Sequence, residues 1–290
     1  MDTRELLQKV KKLEIKTRGL SKQLFAGDYY SAFKGRGMTF SEVKNYSFGD
    51  DVRAIDWNVT ARFDEPFVKV FEEEREITSL LLLDVSGSTN FGSNKQSKKD
   101  LISEVAAILA FSANQNNDKI GAIFFSDVVE KYIPPKKGKK HVLMLLRDWL
   151  EYQPTRKSTN IDVALQFLNA IQKKRSIAFL ISDFYDENDY QKSLSIVRKK
   201  HDLVAIQVKD PAEYELLNFG LLPVVHAESN AVTWLSTHVK STANKLIELN
   251  EKHDHELATL FKKSGVDFVT IETGKEYIQS LQRLFQKRKK

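Results

Sequence analysis

Asp84, Ser86 and Ser88 stand at alternate positions in the segment Leu83-Asp84-Val85-Ser86-Gly87-Ser88-Thr89. One carboxylate and two neutral hydroxyls at this spacing can turn to one side of an extended loop. Hard oxygen donors of this kind suit Mg²⁺ or Mn²⁺. The same residue types also cap helices, so Asp84 or Ser86 as the cap of a following helix is the competing reading. Two later segments offer oxygens in comparable settings. Thr159 lies in a polar loop just ahead of the helical pattern that begins near Ile161, and Asp183 closes the apolar run from Ile177, with Asp186 close behind.

The elements around these residues predict how they are positioned. Ile77 and Leu80 to Leu83 make a short apolar run bounded by turn residues, which reads as a strand buried on both faces. From Ser97 to Phe111 apolar residues recur at helical spacing, so the order is strand, polar loop, helix. Ile177 to Ile181 and Leu203 to Val208 are further buried strands, and Val266 to Ile271 is the last. Helical patterns fall at Val142 to Trp149, Ile161 to Ile171, Tyr190 to Lys199, Ser236 to Lys263 and Tyr277 to Phe285. Lys119 to Phe125 and Val128 to Ile133, joined through Ser126-Asp127, predict a hairpin and an antiparallel edge, ended by Pro134-Pro135. A second hairpin is expected around Glu228-Ser229-Asn230. Strands alternating with helices argue for an α/β fold, a mainly parallel doubly wound sheet with an antiparallel edge strand. Ligands of such sheets bind at the carboxyl ends of the strands, where Asp84 and Asp183 fall.

A strand-end Asp-x-Ser-x-Ser, a loop Thr and a second strand-end Asp, in this order, resemble the metal-ion-dependent adhesion site of von Willebrand factor type A domains. The resemblance implies that Asp84, Ser86, Ser88, Thr159 and Asp183 hold Mg²⁺ or Mn²⁺, and that a partner protein's Asp or Glu completes the metal shell. Lys157 and Ser158 stand where glycines often precede the loop Thr, and a lysine there would oppose the metal.

Residues 1–24 read as an amphipathic helix, with Leu6, Val10, Leu13 and Leu20 on one face. Phe40 to Tyr46 predicts a short helix, Asp51 the cap of a helical turn from Val52, Arg53 and Asp56 a pair on one face, and Phe67 to Phe71 a strand. The string Gly49-Asp50-Asp51-Val52-Arg53-Ala54-Ile55-Asp56-Trp57, followed by Ala61-Arg62, a strand and the acidic stretch Glu72 to Glu76, resembles the bacterial domain-of-unknown-function family fifty-eight. Members of that family often accompany MoxR-type AAA+ ATPases, so the resemblance implies such an ATPase as partner. Asp51, Arg53, Asp56, Trp57 and Arg62 are expected to form either a partner-binding surface or a buried polar cluster. The expected division is an N-terminal helix and irregular α+β unit at 1–76 and the type A-like domain at 77–290.

Composition excludes several classes. The 290 residues contain no cysteine, which removes disulfides, thiolate metal sites and a nucleophilic thiol, and fits a reducing, cytoplasmic setting. No apolar run reaches the roughly 18–20 residues of a membrane span, and the charged N-terminus lacks a signal-peptide core. The net charge of +6 gathers in Lys9 to Lys22 and Lys287 to Lys290, read as solvated helix ends rather than a nucleic-acid platform. His253-Asp254-His255 are spaced two apart on a predicted helix and cannot share one face as zinc ligands. The expected function is a non-catalytic, metal-dependent protein-binding adaptor. The alternatives are a metal-assisted phosphohydrolase and a nucleic-acid-binding protein. The first is disfavoured because Ser86 stands where an acid/base carboxylate would be needed.

Overall fold

In a computed structural model, residues 3–25, 38–63, 65–73, 77–92, 96–213, 221–225, 232–236 and 240–288 are described. The chain order begins with α1 (Thr3–Phe25), β1 (Met38–Asn45), a 3₁₀ turn (Val52–Ala54), α2 (Trp57–Phe63), β2 (Phe67–Glu73) and β3 (Thr78–Asp84). A second 3₁₀ turn (Gly87–Asn90) leads to α3 (Lys98–Gln115), β4 (Lys119–Phe125), β5 (Val129–Lys136), α4 (Lys139–Glu151) and α5 (Ile161–Ile171). Then follow β6 (Ile177–Ser182), α6 (Gln191–Lys200), β7 (Asp202–Lys209), a 3₁₀ turn (Pro211–Glu213), and the strands β8 (Leu221–Val225) and β9 (Val232–Ser236). The order closes with α7 (Lys240–Ser264), β10 (Asp267–Glu272) and α8 (Ile278–Lys287).

Two compact units result, one of Met1–Ala32 with Thr78–Lys290 and one of Phe33–Ile77. This differs from a division at residue 76. The N-terminal helix belongs with the sheet unit, because α1 packs on α3 and α4 and buries Val10, Leu13 and Thr17.

In the sheet unit the strand order is β10-β7-β6-β3-β4-β5. All neighbours are parallel except β4 and β5, which form the expected antiparallel edge. This is the mainly parallel sheet with an antiparallel edge strand that the strand and helix pattern predicts. Both faces of the sheet are covered, so β3, β6 and β7 read as continuous apolar runs, and Leu80 to Leu83 are fully buried. Alternate residues supply the two faces. Leu80, Leu82, Ala178, Leu180, Leu203 and Ala205 pack with Ile161, Leu165, Leu168, Leu194, Val197, Leu257 and Phe261 from α5, α6 and α7. On the other face Phe124 meets Trp149 of α4 edge-on, and Phe179 meets Phe285 of α8. Helix α3 is buried on nearly every side from Leu101 to Ala113, since it touches β3 and β4 and is itself covered by α1 and α4. That placement accounts for apolar residues beyond a single helical stripe. The second predicted hairpin is present as the antiparallel pair β8–β9. Among the described residues, no helix is long and apolar enough to cross a membrane.

In the Phe33–Ile77 unit, β1 and β2 pair antiparallel. The helix expected at Phe40 to Tyr46 is therefore a strand. An irregularity in the register between Phe40 and Glu42 interrupts the two-residue period, so Phe40 and Val43 are three apart in sequence, a helical spacing. Asp51 caps the following turn as expected, accepting the Arg53 N–H at 3.0 Å. The expected Arg53–Asp56 pair is not formed. Asp56 instead accepts the N–H groups of Asn58 and Val59 at the start of α2 and pairs with Lys69 of β2 at 3.3 Å.

Candidate functional site

Register brings two acidic strand ends together. β3 runs between β4 and β6, with Leu83 opposite Ile181 and Asp84 opposite Phe125. Asp84 is fully buried. Its Oδ1 accepts the Ser86 N–H at 2.8 Å and its Oδ2 accepts the Ser182 hydroxyl at 2.5 Å. Burial, and after it the charge of Asp183, push the Asp84 carboxyl up to about 7, against hydrogen bonds from Ser182 and Ser86. A buried carboxyl beside a second carboxylate is held toward its protonated form unless a cation compensates it.

The capping alternative does not describe this arrangement. The long helix α3 is capped by Ser97, which forms a capping box with Asp100. Ser86 precedes the short Gly87–Asn90 turn without a side-chain cap bond. Its hydroxyl instead lies 3.0 Å from that of Ser88. Thr89 secures the turn by donating its hydroxyl to the Ser86 carbonyl at 2.8 Å.

Asp183 follows β6 and is 1% exposed. The next residue, Phe184, has φ of 62°, a left-handed conformation that a bulky side chain rarely adopts. Packing holds it there, since the buried Phe184 ring meets Phe261 edge-on at 5.1 Å. Its N–H donates to the Ser182 hydroxyl oxygen at 3.0 Å, so Ser182 bridges Asp84 and the turn behind Asp183.

Thr159 is buried on the third segment. Its loop is tied on several sides. The Gly87 N–H donates to the Lys157 carbonyl at 2.8 Å, and the Asn160 N–H to the Ser126 carbonyl at 2.9 Å. Asp186 accepts the Ile161 N–H at 2.7 Å and also takes Asn188, so the loops after β6 and before α5 share one carboxylate. Upstream, Glu130 accepts from Ser126, Tyr152, Thr155 and the Arg156 N–H. Burial opposes ionisation of Glu130, but the Thr155, Ser126 and Tyr152 hydroxyls outweigh it and hold the carboxyl below its usual range.

The lysine in the cleft is not the one anticipated. Lys157 is exposed. Lys98, in the first turn of α3, is 1% exposed and donates to Asp183 Oδ2 at 2.8 Å and to Glu213 Oε1 at 2.5 Å. Burial alone would lower its pKa, but Asp183 and Glu213 outweigh it and raise the value, so the ammonium stays charged. Lys98, Ser182 and Glu213 are the participants that sequence reasoning missed.

The structure thus brings Asp84, Ser86 and Ser88 into one cleft at the carboxyl ends of the central strands, with Asp183 beside them and the Thr159 loop bonded to the Gly87 turn. All five side chains offer oxygen, the donor class of a small divalent ion, while among the described residues no group of three or more His, Asp or Glu side chains gathers as a metal site. The Ser86 and Ser88 hydroxyls are hydrogen-bonded to each other at 3.0 Å, a separation that also lets both reach one octahedral Mg²⁺ with ligands about 2.1 Å away.

The second set of candidates behaves otherwise. Asp51, Arg53 and Arg62 are exposed and Trp57 keeps 69% of its surface, so the expectation of a buried cluster there is corrected. Asp51 accepts the Arg53 N–H, and Asp56 accepts from the Asn58 N–H and pairs with Lys69. His253, Asp254 and His255 also diverge. His253 stacks on Tyr185 with centroids 4.5 Å apart, Asp254 pairs with Lys209, and His255 is exposed.

The family model described as "Protein of unknown function DUF58" matches residues 42–256. Uncharacterized protein Rv1480 of Mycobacterium tuberculosis is 26% identical over 292 residues, a match spanning 100% of this chain and 92% of the relative. Uncharacterized protein MAV169 of Mycobacterium avium is 24% identical over 160 residues, 54% of this chain and 94% of its own length. Among solved structures, BatB from Bacteroides thetaiotaomicron aligns with a TM-score of 0.47 at 14% identity, over 73% of this chain and 98% of that one. The SpRpn10 VWA domain aligns with a TM-score of 0.40 at 14% identity, over 73% and 95%.

Proposed function

This chain belongs to the DUF58 family, and on that premise we propose that it is a non-catalytic, divalent-metal-dependent protein-binding adaptor. The observation that supports this most directly is the pair of hydrogen-bonded hydroxyls, Ser86 and Ser88, 3.0 Å apart beside the buried Asp84. Asp84, Ser86, Ser88, Thr159 and Asp183 would hold Mg²⁺ or Mn²⁺, directly or through water. The ion, when bound, supplies a Lewis-acidic position for an incoming carboxylate. Three of the five donors are neutral hydroxyls, so the two carboxylates only balance the ion's charge. One further anionic oxygen is favoured, because a charge-assisted contact in a partly desolvated cleft is strong.

The chain's own residues fit binding better than turnover. Both Asp84 oxygens are engaged by Ser86 and Ser182, which fixes the carboxylate as a rigid anchor rather than a base free to activate water. In this reading the partner is a cytoplasmic MoxR-type AAA+ ATPase that presents an Asp or Glu. Retention of that ATPase on the immobilised chain should require Mg²⁺ and fail for Asp84→Asn and Ser86→Ala. Undiminished retention in excess EDTA, with an unchanged circular dichroism spectrum, overturns the reading.

A further inference from the structure

We propose that Lys98 is the resident counter-cation of this cleft and the direct competitor of the divalent ion for Asp183, with Glu213 as the site to which the ammonium is handed over. The proposal rests on the metal reading above and adds a residue that the adhesion-site pattern does not contain.

Three observations carry it. First, Lys98 Nζ touches the oxygen Asp183 Oδ2, at 2.8 Å. An ion drawing on that oxygen meets an ammonium already bonded to it. Second, the ammonium has a second acceptor in place, Glu213 Oε1 at 2.5 Å. It can leave Asp183 without being stranded as an unpaired buried charge, which would be strongly unfavourable. Third, the receiving carboxylate is itself anchored. Glu213 Oε2 accepts the Asp210 N–H at 3.1 Å, and the Glu213 carbonyl accepts Asn250 Nδ2 at 2.7 Å. Asn250 in turn accepts the Tyr185 hydroxyl at 2.6 Å, two residues beyond Asp183. The route from the cleft to the Pro211–Glu213 turn and α7 is therefore a continuous chain of hydrogen bonds.

Charge counting gives the sense of the exchange. Asp84 and Asp183 together match one divalent ion, while Lys98 and Glu213 match each other. With the ion present, each set is neutral if Lys98 sits on Glu213. Without it, Lys98 shared between Asp183 and Glu213 is the arrangement that leaves the least uncompensated charge in the cleft.

Calorimetric titration of the full chain with Mn²⁺ tests this in wild type, Lys98→Met and Glu213→Gln. Methionine keeps the length of the side chain without the charge. Glutamine keeps an acceptor for the Asp210 N–H and removes the alternative partner. We expect Lys98→Met to bind Mn²⁺ more tightly, by roughly tenfold or more, and Glu213→Gln to bind it more weakly by a similar factor. Equal or weaker binding in Lys98→Met, with wild type binding normally, overturns the competition and leaves the metal reading standing. Binding in Lys98→Met but not in wild type supports the competition and overturns native metal dependence. Absence of binding in all three overturns both. If Lys98→Met does not fold, Glu213→Gln decides alone: weaker Mn²⁺ binding supports the proposal, and unchanged or tighter binding overturns it.

Discussion

The cleft at the strand ends and the Phe33–Ile77 unit are both rich in acidic and basic side chains, yet they use them in opposite ways. In the cleft, Asp84, Asp183 and Lys98 are at or below about 1% exposure, and each finds partners distant in sequence. In the smaller unit, Asp51, Asp56 and Asp50 each bond to backbone within three residues of themselves, Asp50 and Asp56 adding the part-exposed Lys44 and Lys69, and large apolar side chains face solvent. Phe48, Val52, Trp57 and Phe63 all keep more than 60% of their surface. The difference teaches where energy and recognition are separated. Buried charges fix one geometry, because leaving any of them unpaired is costly. Locally satisfied charges leave the apolar side chains around them uncommitted.

The largest expected effect breaks the cleft. Lys98→Ala removes the only cation that, among the described residues, pairs with the buried Asp183 carboxylate, and should destabilise the metal-free protein by about 3–5 kcal/mol. Chemical denaturation in the presence of a chelator measures this. A loss below about 1 kcal/mol would place Lys98 among ordinary surface lysines and dissolve the contrast.

A smaller effect is expected one step out. Glu130 gathers Ser126, Tyr152, Thr155 and Arg156 and so braces the loop that leads to Thr159. Glu130→Ala should cost about 1–2 kcal/mol, reduced by the partial exposure of the site. Its carboxyl is held below the usual range, so its contribution is present above the ordinary carboxylate pKa and fades as pH falls through the lowered value. The same denaturation measurement repeated toward acid should therefore show the wild type and Glu130→Ala converging.

How much of this was legible in the chain depended on range. Strands β3, β6 and β7 announce themselves as apolar runs, and the polar residues that end them fall at the strand ends by necessity. The oxygen-bearing residues Asp84, Ser86, Ser88, Thr159 and Asp183 could therefore be named together. Lys98 could not. It stands in Ser97-Lys98-Lys99-Asp100, a polar helix start that looks solvated, and its partners lie 85 and 115 residues away. Only the packed sheet converts it into a buried cation. Lys157 was the more visible lysine because it neighbours Thr159 in sequence, but it is exposed. Ser182 was hidden for a different reason, since a serine before a strand-end Asp carries no periodic signal. In the smaller unit the register irregularity at Phe40/Glu42 disguised a strand as a helix.

The buried imidazole at the amino end of β7 tests whether burial alone, without charge pairing, behaves like the cleft. His201 is fully buried, its Nδ1 lies 3.0 Å from the Ser176 hydroxyl, and its Nε2 has no hydrogen-bond partner among the described residues. Burial, with Lys200 and Arg175 nearby, lowers its pKa from 6.5 to about 4. The folded protein then binds fewer protons than the unfolded chain between these values. Stability is full above the unfolded value, and it declines as pH falls from 6.5 toward 4. At about pH 5.5 the loss should be about 1 kcal/mol. His201→Gln should abolish this part of the pH slope in thermal melts. An unchanged slope would mean that the imidazole titrates alike in the folded and unfolded chain.

The smallest effect on stability is expected where the apolar residues are exposed, and there the effect on binding should be the larger one. Trp57 heads the seven-residue helix α2 and keeps 69% of its surface, and Phe48 is wholly exposed in the preceding turn. A side chain that buries little on folding loses little on truncation, so Trp57→Ala and Phe48→Ser should each shift stability by no more than about 0.5 kcal/mol. Aromatic side chains in that setting are the residue type enriched at protein interfaces. If the unit contributes to capture of the ATPase, Trp57→Ala should weaken retention at saturating Mg²⁺ while leaving Mn²⁺ affinity unchanged. Asp84→Asn should abolish both. A Trp57→Ala protein with full retention would confine recognition to the cleft. A Trp57→Ala protein with a markedly lower melting temperature would show instead that the side chain is packed in solution, and the contrast between a rigid cleft and an uncommitted apolar surface would fail at that point.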